Sequence, residues 1–458
     1  MKKRTRIIAI VMTAVVVLGV IGTVIGVTYV PRDRTIKVLN WEVYMPKSVI
    51  KDFQKQMKKE TGKSFRVKYD TADSNESMYH KIAVGKQDYD LVNVSEYMFE
   101  RMYAENLLLE IPFSKYKNGE GAMLYTKHEG MDKKITDIVA DIFDSQDKKD
   151  QAKPEAERIG LDSKNKIFAA PYMYGTNGIM FNPKKLSGGV ENLEKFREDA
   201  QKWGMLWNRS AHEIDYKGRI SMKDVARDSY TAALLYEIEI AAGLHLPRTS
   251  PFSYGLEAIS TEYQAQFKDT AESRLRLQKL DSLLSTTNGY EVDEGNEKMA
   301  SKNLNEYPAV GLYWSCDAGY AWNELGNKDI EFYVPQIGSN MWIDAWVMPK
   351  YRKESSEAHV VKFLDFLNTT KTAKTNMEYA GGCTPMQEAR AELYTKYNEM
   401  GFDTGFFKGK DQAWKTMYLE TMFPGENNNV LERCSVFRYL GSAADAAIGT
   451  MFEGVKAL

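Results

Sequence analysis

Three cysteines in 458 residues, Cys316, Cys383 and Cys434, allow one disulfide at most, so cross-links do not hold this fold together. None lies near the N-terminal apolar segment, so no lipid-bearing cysteine is available there. Histidine is scarce as well. His80, His128, His212, His245 and His359 are scattered, without a His-Glu-x-x-His helix or paired ligand spacing, and no metal site is expected. There is no Gly-x-Ser-x-Gly elbow and no Gly-rich phosphate loop ending in Lys, so neither hydrolase nor nucleotide chemistry is signalled. Only a carboxylate pair of the glycosidase kind stays open, because separation in space decides it. Internal repeats and low-complexity tracts are also missing. Net charge is -2, and without the bases Lys2, Lys3, Arg4 and Arg6 the balance is 57 Lys and Arg against 63 Asp and Glu. A chain that is slightly acidic beyond its N-terminus lacks the basic face nucleic acid requires.

What is present is a long chain with 43% hydrophobic and 27% charged residues, 27 Tyr and 8 Trp. That length implies two or more domains. Ile7 to Tyr29 carries no charge and follows the basic cluster. It is long enough to span a bilayer as a helix, with the bases retained in the cytoplasm. We read residues 1–30 as a signal anchor with the body outside the cell; the alternative is a long signal peptide that is cleaved. Either way the body is exported.

Residues 31–105 alternate strand and helix. Strands are predicted over Thr35–Trp41, Phe65–Tyr69 and Tyr89–Val94. Helices are predicted over Lys47–Thr61, from a capping box of Asp73 and Glu76 to about Val84, and through Ala104. This pitch means βαβ units and a parallel sheet with covered faces. Residues 111–166 are rich in Lys, Asp, Glu and Gln and read as a partly helical surface insertion, in which Asp147-Lys148-Lys149-Asp150 is a solvated face, the alternative being a docking face for a partner. Ile167–Tyr174 and Gly178–Asn182 flank Gly175-Thr176-Asn177. They form either a strand that breaks and resumes as a crossover between lobes, or a hairpin. Glu191–Gly204, Ser229–Ala242 and Ser273–Leu284 are predicted helical. Ala309–Trp314, Ile330–Val334 and Trp342–Met348 are predicted strands, and most of the chain from Ser356 is helical.

The most informative stretch is Asn40-Trp41-Glu42-Val43-Tyr44-Met45-Pro46, two aromatics and an acid at a strand's carboxyl end. Open α/β sheets place their ligand crevice there. Ring faces beside carboxylates suit an organic cation. Similar pieces recur at Ser95-Glu96-Tyr97, Trp314-Ser315-Cys316-Asp317 and Trp342-Ile343-Asp344-Ala345-Trp346. Trp342, Asp344 and Trp346 alternate and share a strand face. Asp344 is then an ammonium-binding carboxylate between indoles, or a partner in an internal salt bridge, or an acid exposed at a strand end. Asp224 and Asp228 share a helix face if the helix starts early enough. On spacing alone they stabilise its N-terminus, and Arg227 could neutralise either. Trp314 is equally consistent with core packing, Asp317 with a helix cap and Glu42 with a solvated loop.

In chain order, these motifs resemble the extracellular solute-binding proteins of polyamine ABC transporters, the spermidine/putrescine group. The resemblance runs with gaps from about Ile36 to the C-terminus. It is carried by Asn40-Trp41-x-x-Tyr44-x-Pro46, Ser74-Asn75-Glu76-x-Met78-Tyr79-x-Lys81, Tyr89-Asp90-Leu91-Val92 with Ser95-x-Tyr97, and Pro171-Tyr172-x-Tyr174-Gly175-Thr176. Ala226-Arg227-Asp228, Trp314-Ser315-x-Asp317-Ala318, Trp342-x-Asp344 and Thr384-Pro385 complete it. The resemblance implies two α/β lobes of the periplasmic-binding-protein kind joined by hinge crossovers: residues 31–175 with about 345–390, and 176–344 with about 391–458. It implies a polyamine site at Trp41, Tyr44, Ser95, Tyr97, Trp314, Trp342 and Asp344, with helix-start acids at Asp228 and Asp224, and Glu42 beside them. It further implies a monomer that meets ABC permease subunits, with no cofactor and no catalysis. The chain departs from the family pattern in several places: the first acid stands at Glu42, one position early, Gly382 stands where a Tyr commonly precedes Thr384-Pro385, and the insertions at 111–166 and near 205–218 are unusual for it. The alternatives are the same fold with thiamine, a quaternary amine, a sugar or ferric iron, a polyamine sensor, or a surface glycosidase.

Overall fold

The computed structural model describes residues 30–116, 130–241, 287–291, 294–306, 308–353 and 357–456. The expected anchor, the helix expected over Ser273–Leu284 and residues 117–129 lie outside them. Among the described residues, no helix is long and apolar enough to cross a membrane.

The strands are β1 (Thr35–Trp41), β2 (Arg66–Ala72), β3 (Leu91–Ser95), β4 (Leu108–Leu109), β5 (Ala169–Phe181), β6 (Ile220–Lys223), β7 (Thr287–Glu291), β8 (Val310–Trp314), β9 (Glu331–Tyr333), β10 (Ser339–Pro349) and β11 (Cys434–Ser435). Their order along the hydrogen-bonded path is β2-β1-β3-β10-β5-β8-β6-β7. β1, β2 and β3 are parallel, whereas β10 runs antiparallel to both β3 and β5. The first half is thus a mixed sheet and not the all-parallel one expected from its βαβ units. In the second half β6 pairs parallel with β7 and β8, and β5 pairs antiparallel with β8 and β9.

β5 links the halves. Thr176 still pairs with Met341 of β10, and the next residue, Asn177, pairs with Trp314 of β8. The segment is one continuous crossing strand, neither broken nor a hairpin. All its 13 residues are buried, so it shows no alternation that sequence could reveal. Gly175 is needed there for close approach: a Cβ would lie 2.3 Å from Trp342 Cζ2 and 2.3 Å from Ser315 Oγ.

Local chemistry sets most other boundaries. The helix Lys47–Thr61 begins after Pro46, buries Val49, Phe53 and Met57, and ends at Gly62, whose φ of 70° and N–H bond to Lys58 O close the last turn. The next helix starts at Asn75, and its N-cap is Ser74 rather than Asp73: Ser74 Oγ accepts the Ser77 N–H at 3.2 Å. The described part of 111–166 is not wholly a solvated face, although Lys148 and Lys149 are exposed. Its helix Lys133–Gln151 buries Ile135, Val139, Ile142 and Phe143. Asp147 and Asp150 are buried too. Asp147 accepts from Tyr103 Oη at 2.6 Å and from Ser163 N–H at 2.8 Å, and Asp150 accepts the N–H groups of Ile159, Gly160 and Leu161. A carboxylate that collects backbone donors ties a loop down.

Candidate ligand-binding site

Four strand ends converge. Trp41 ends β1, Ser95 ends β3, Lys223 ends β6 and Trp314 ends β8. With Trp342 and Asp344 of β10 they line one cavity of about 300 Å³. Two turns complete it. The turn after β1 carries Glu42 on the exposed rim and Tyr44 beneath, and is bent by Val43, whose φ of 48° is unusual for a β-branched residue. The start of the helix Ala226–Ala241 brings Asp228.

Asp344 is 6% exposed and lies at the centre of this arrangement. Its Oδ2 accepts from Tyr44 Oη at 2.7 Å and its Oδ1 from Ser95 Oγ at 2.7 Å. No Lys or Arg among the described residues pairs with it, so the internal salt bridge is absent. Burial pushes its carboxyl up to about 6, against the two hydroxyl bonds that lower it. Asp228 is similar. Asn177 Nδ2 donates to its Oδ1 at 2.7 Å and Trp314 Nε1 to its Oδ2 at 3.0 Å, and burial again raises it to about 6. Arg227 does not clamp Asp228. It pairs with Asp445 and lies over the Tyr97 ring, 4.4 Å from its centroid.

Tyr97 and Ser95 are fixed from below by Asn75, whose Nδ2 donates at 3.0 Å to both hydroxyls. Tyr97 Oη donates to Glu76 at 3.2 Å. Glu96 accepts the N–H groups of Ile343 and Phe437, and burial pushes it to about 8. Trp41 meets Trp314 edge-on with centroids 6.5 Å apart, and its Nε1 is buried without a partner. Asn340 Oδ1 is likewise buried and unpartnered on the cavity wall.

Of the residues singled out from the sequence, Trp41, Glu42, Tyr44, Ser95, Tyr97, Asp228, Trp314, Trp342 and Asp344 share this cavity. Asp224 does not. The helix begins at Ala226, so Asp224 precedes it and shares no helical face with Asp228. Trp346 shares the face of Trp342 and Asp344 but packs in the core against Tyr172 and Phe363. Asp317 caps its helix by accepting the Trp314 N–H at 3.0 Å, and also lines the cavity. Sequence reasoning missed Lys223, Asn340 and the site role of Asn75 and Glu76. The last two stood inside a quoted motif; Lys223 carried no signal beyond ending a short apolar strand.

Aromatic walls and two buried carboxylates that accept only from uncharged side chains form a receptacle for a small cationic organic solute. Among the described residues, no group of three or more His, Cys, Asp or Glu is placed to hold a metal. The sequence model of bacterial extracellular solute-binding proteins matches residues 48–401. The chain belongs to that family. Its members bind a solute outside the cytoplasm and are not enzymes. Curated relatives include the spermidine/putrescine-binding periplasmic protein of Escherichia coli, 23% identical over 82% of this chain and 84% of the relative. The putrescine-binding periplasmic protein SpuD of Pseudomonas aeruginosa is 25% identical over 76% of this chain and 77% of its own. Among solved structures, the spermidine/putrescine ABC transporter substrate-binding protein PotD of Streptococcus pneumoniae superposes with a TM-score of 0.56, at 23% identity over 93% of this chain and 99% of that one. The Tp0655 (TpPotD) lipoprotein of Treponema pallidum gives 0.59, at 19% identity over 93% and 100%. The two-lobed α/β fold expected from the sequence is the fold of these proteins.

Proposed function

We propose that this protein captures a linear polyamine outside the cell and delivers it to an ABC-type permease. The observation that carries the proposal is Asp344: a buried carboxylate held by two hydroxyls, walled by Trp342 and Tyr44, and paired with no Lys or Arg among the described residues. A charge so placed is costly to bury until a cation joins it. Asp344 pairs with one ligand ammonium and Asp228 with another. Trp41, Tyr44, Tyr97, Trp314 and Trp342 enclose the methylene chain, and each ring that faces an ammonium contributes about 0.5–2 kcal/mol. Ser95 and Asn340 supply oxygen acceptors, and Glu42 adds negative potential at the rim. The names of the relatives, which span more than three-quarters of their length in common with this chain, support polyamine over other solutes.

The lobes divide as residues 31–175 with about 345–390 and 176–344 with about 391–458; the change of partner after Thr176 in β5 supports the first boundary. Closure of the lobes excludes water and strengthens each charge contact. The protein acts as a monomer, held at the membrane by residues 1–30, which keeps its concentration high beside the permease. Calorimetric titration of residues 31–458 with putrescine, spermidine and spermine tests the proposal. Binding of at least one at micromolar affinity is expected; no binding of any, with the protein folded, ends it.

A further inference from the structure

Lys223 is a base in a cavity otherwise suited to cations. Its side chain is 1% exposed. Its Nζ lies 3.8 Å from the centroid of the Trp314 ring and 2.6 Å from Asp317 Oδ2. A ring face and a carboxylate oxygen are the contacts that a ligand ammonium needs. Here the chain supplies that ammonium itself, at the end of β6.

The carboxylates can be assigned accordingly. Asp317 is paired with Lys223. Glu96 is bonded by two backbone N–H groups. Asp344 and Asp228 are the buried cavity carboxylates that accept only from uncharged side chains. Two such carboxylates match two ligand ammonium groups. A third ammonium drawn to Asp317 would have to share the Trp314 face with Lys223 and meet like charge at contact distance, in surroundings that screen poorly; the remaining lining carboxylates, Glu42, Asp73, Glu76 and Glu297, are exposed.

We propose that Lys223 is a built-in ammonium that fills the Trp314–Asp317 subsite and restricts the captured polyamine to the diamine class. The inference rests on the polyamine reading above and deepens it to a substrate class. Lys223 acts here as a specificity-determining residue and contributes nothing to diamine affinity by direct contact.

The test is calorimetry of the whole exported body with putrescine, spermidine and γ-aminobutyrate, for the wild type, Lys223→Met and Lys223→Arg. The wild type is expected to bind putrescine at least tenfold more tightly than spermidine. Lys223→Met removes the charge and leaves Asp317 for a ligand nitrogen, and is expected to shift the affinity ratio at least tenfold toward spermidine. Lys223→Arg keeps the charge and is expected to keep the diamine preference. Wild-type protein that binds spermidine as tightly as putrescine overturns the inference alone. So does a folded Lys223→Met with an unchanged ratio. If Lys223→Met does not fold, Lys223→Gln replaces it, and the wild-type ratio remains decisive by itself. Wild-type protein that binds neither amine, or prefers γ-aminobutyrate, overturns the polyamine reading and the inference with it.

Discussion

Asp344 carries a cost in the ligand-free protein that the proposed ligand would relieve. Its carboxyl sits near 6 because burial disfavours the charge more than Tyr44 and Ser95 support it. Relative to an ordinary aspartate, an ionised Asp344 therefore costs the ligand-free fold up to about 3 kcal/mol at pH 7. Asp344→Asn should remove that cost, since both hydroxyls can also face an amide. We predict a gain of about 1–3 kcal/mol in ligand-free stability by urea unfolding, together with at least a tenfold loss of polyamine affinity, about 1.4 kcal/mol or more, by calorimetry. A mutant that is destabilised yet binds normally would mark Asp344 as structural. At this scale the sequence was informative where chemistry was local. A Trp or Asp at a strand end announces itself, and nine of the ten singled-out residues share the cavity. Asp224 stands outside it because the helix begins two residues later, at Ala226. Lys223 was invisible because its meaning lies in Asp317, 94 positions away.

Elements were legible where burial is one-sided and obscure where it is complete. The helix Lys47–Thr61 has an apolar stripe, a proline before it and a glycine after it. β5 has no exposed face, so Gly175 looked like a break when its role is to admit Trp342. The Asp147–Asp150 run looked solvated because its partners, Tyr103, Ser163 and the amides of 159–161, are remote in sequence or unremarkable in it. Glu100 shows the same limit most strongly. It is fully buried in the helix Glu96–Ala104, accepts from Gln146 of the helix Lys133–Gln151, and pairs with Arg438, while Tyr439 N–H donates to it at 2.7 Å. One carboxylate thus joins three separate segments. Its loss removes a fully buried carboxylate from beside Arg438, itself largely buried, and from the Tyr439 N–H. We predict that Glu100→Ala destabilises the protein by about 3–5 kcal/mol, read as a lower urea midpoint. A loss under 1 kcal/mol would show that the segments are held together by apolar packing alone.

If the ligand meets Asp344 and Asp228 as proposed, the whole molecule couples proton binding to ligand binding. In the ligand-free fold Asp344 and Asp228 both titrate near 6, above the ordinary aspartate range. The folded state therefore binds more protons than the unfolded state between about pH 4 and 6. Their contribution to stability is most favourable below 4 and falls as pH rises through 6, opposite in sign to a salt-bridged aspartate. A diammonium ligand prefers both carboxylates ionised and so draws their protons off. Between pH 7 and pH 5 each carboxylate should cost the ligand about tenfold in affinity, about 100-fold for the pair. Calorimetry at pH 5.5 in two buffers of different ionisation heat should show between one and two protons released per ligand bound. The same coupling makes the ligand's stabilising effect larger at pH 7 than at pH 5, because saturating ligand stabilises in proportion to the logarithm of its affinity. Thermal unfolding with and without putrescine at both values checks this independently. Affinity that stays flat from pH 5 to pH 7 would mean that the ligand meets neither acid. A proton count below one would assign contact to a single carboxylate, and Asp344→Asn would identify it by abolishing the release or leaving it intact.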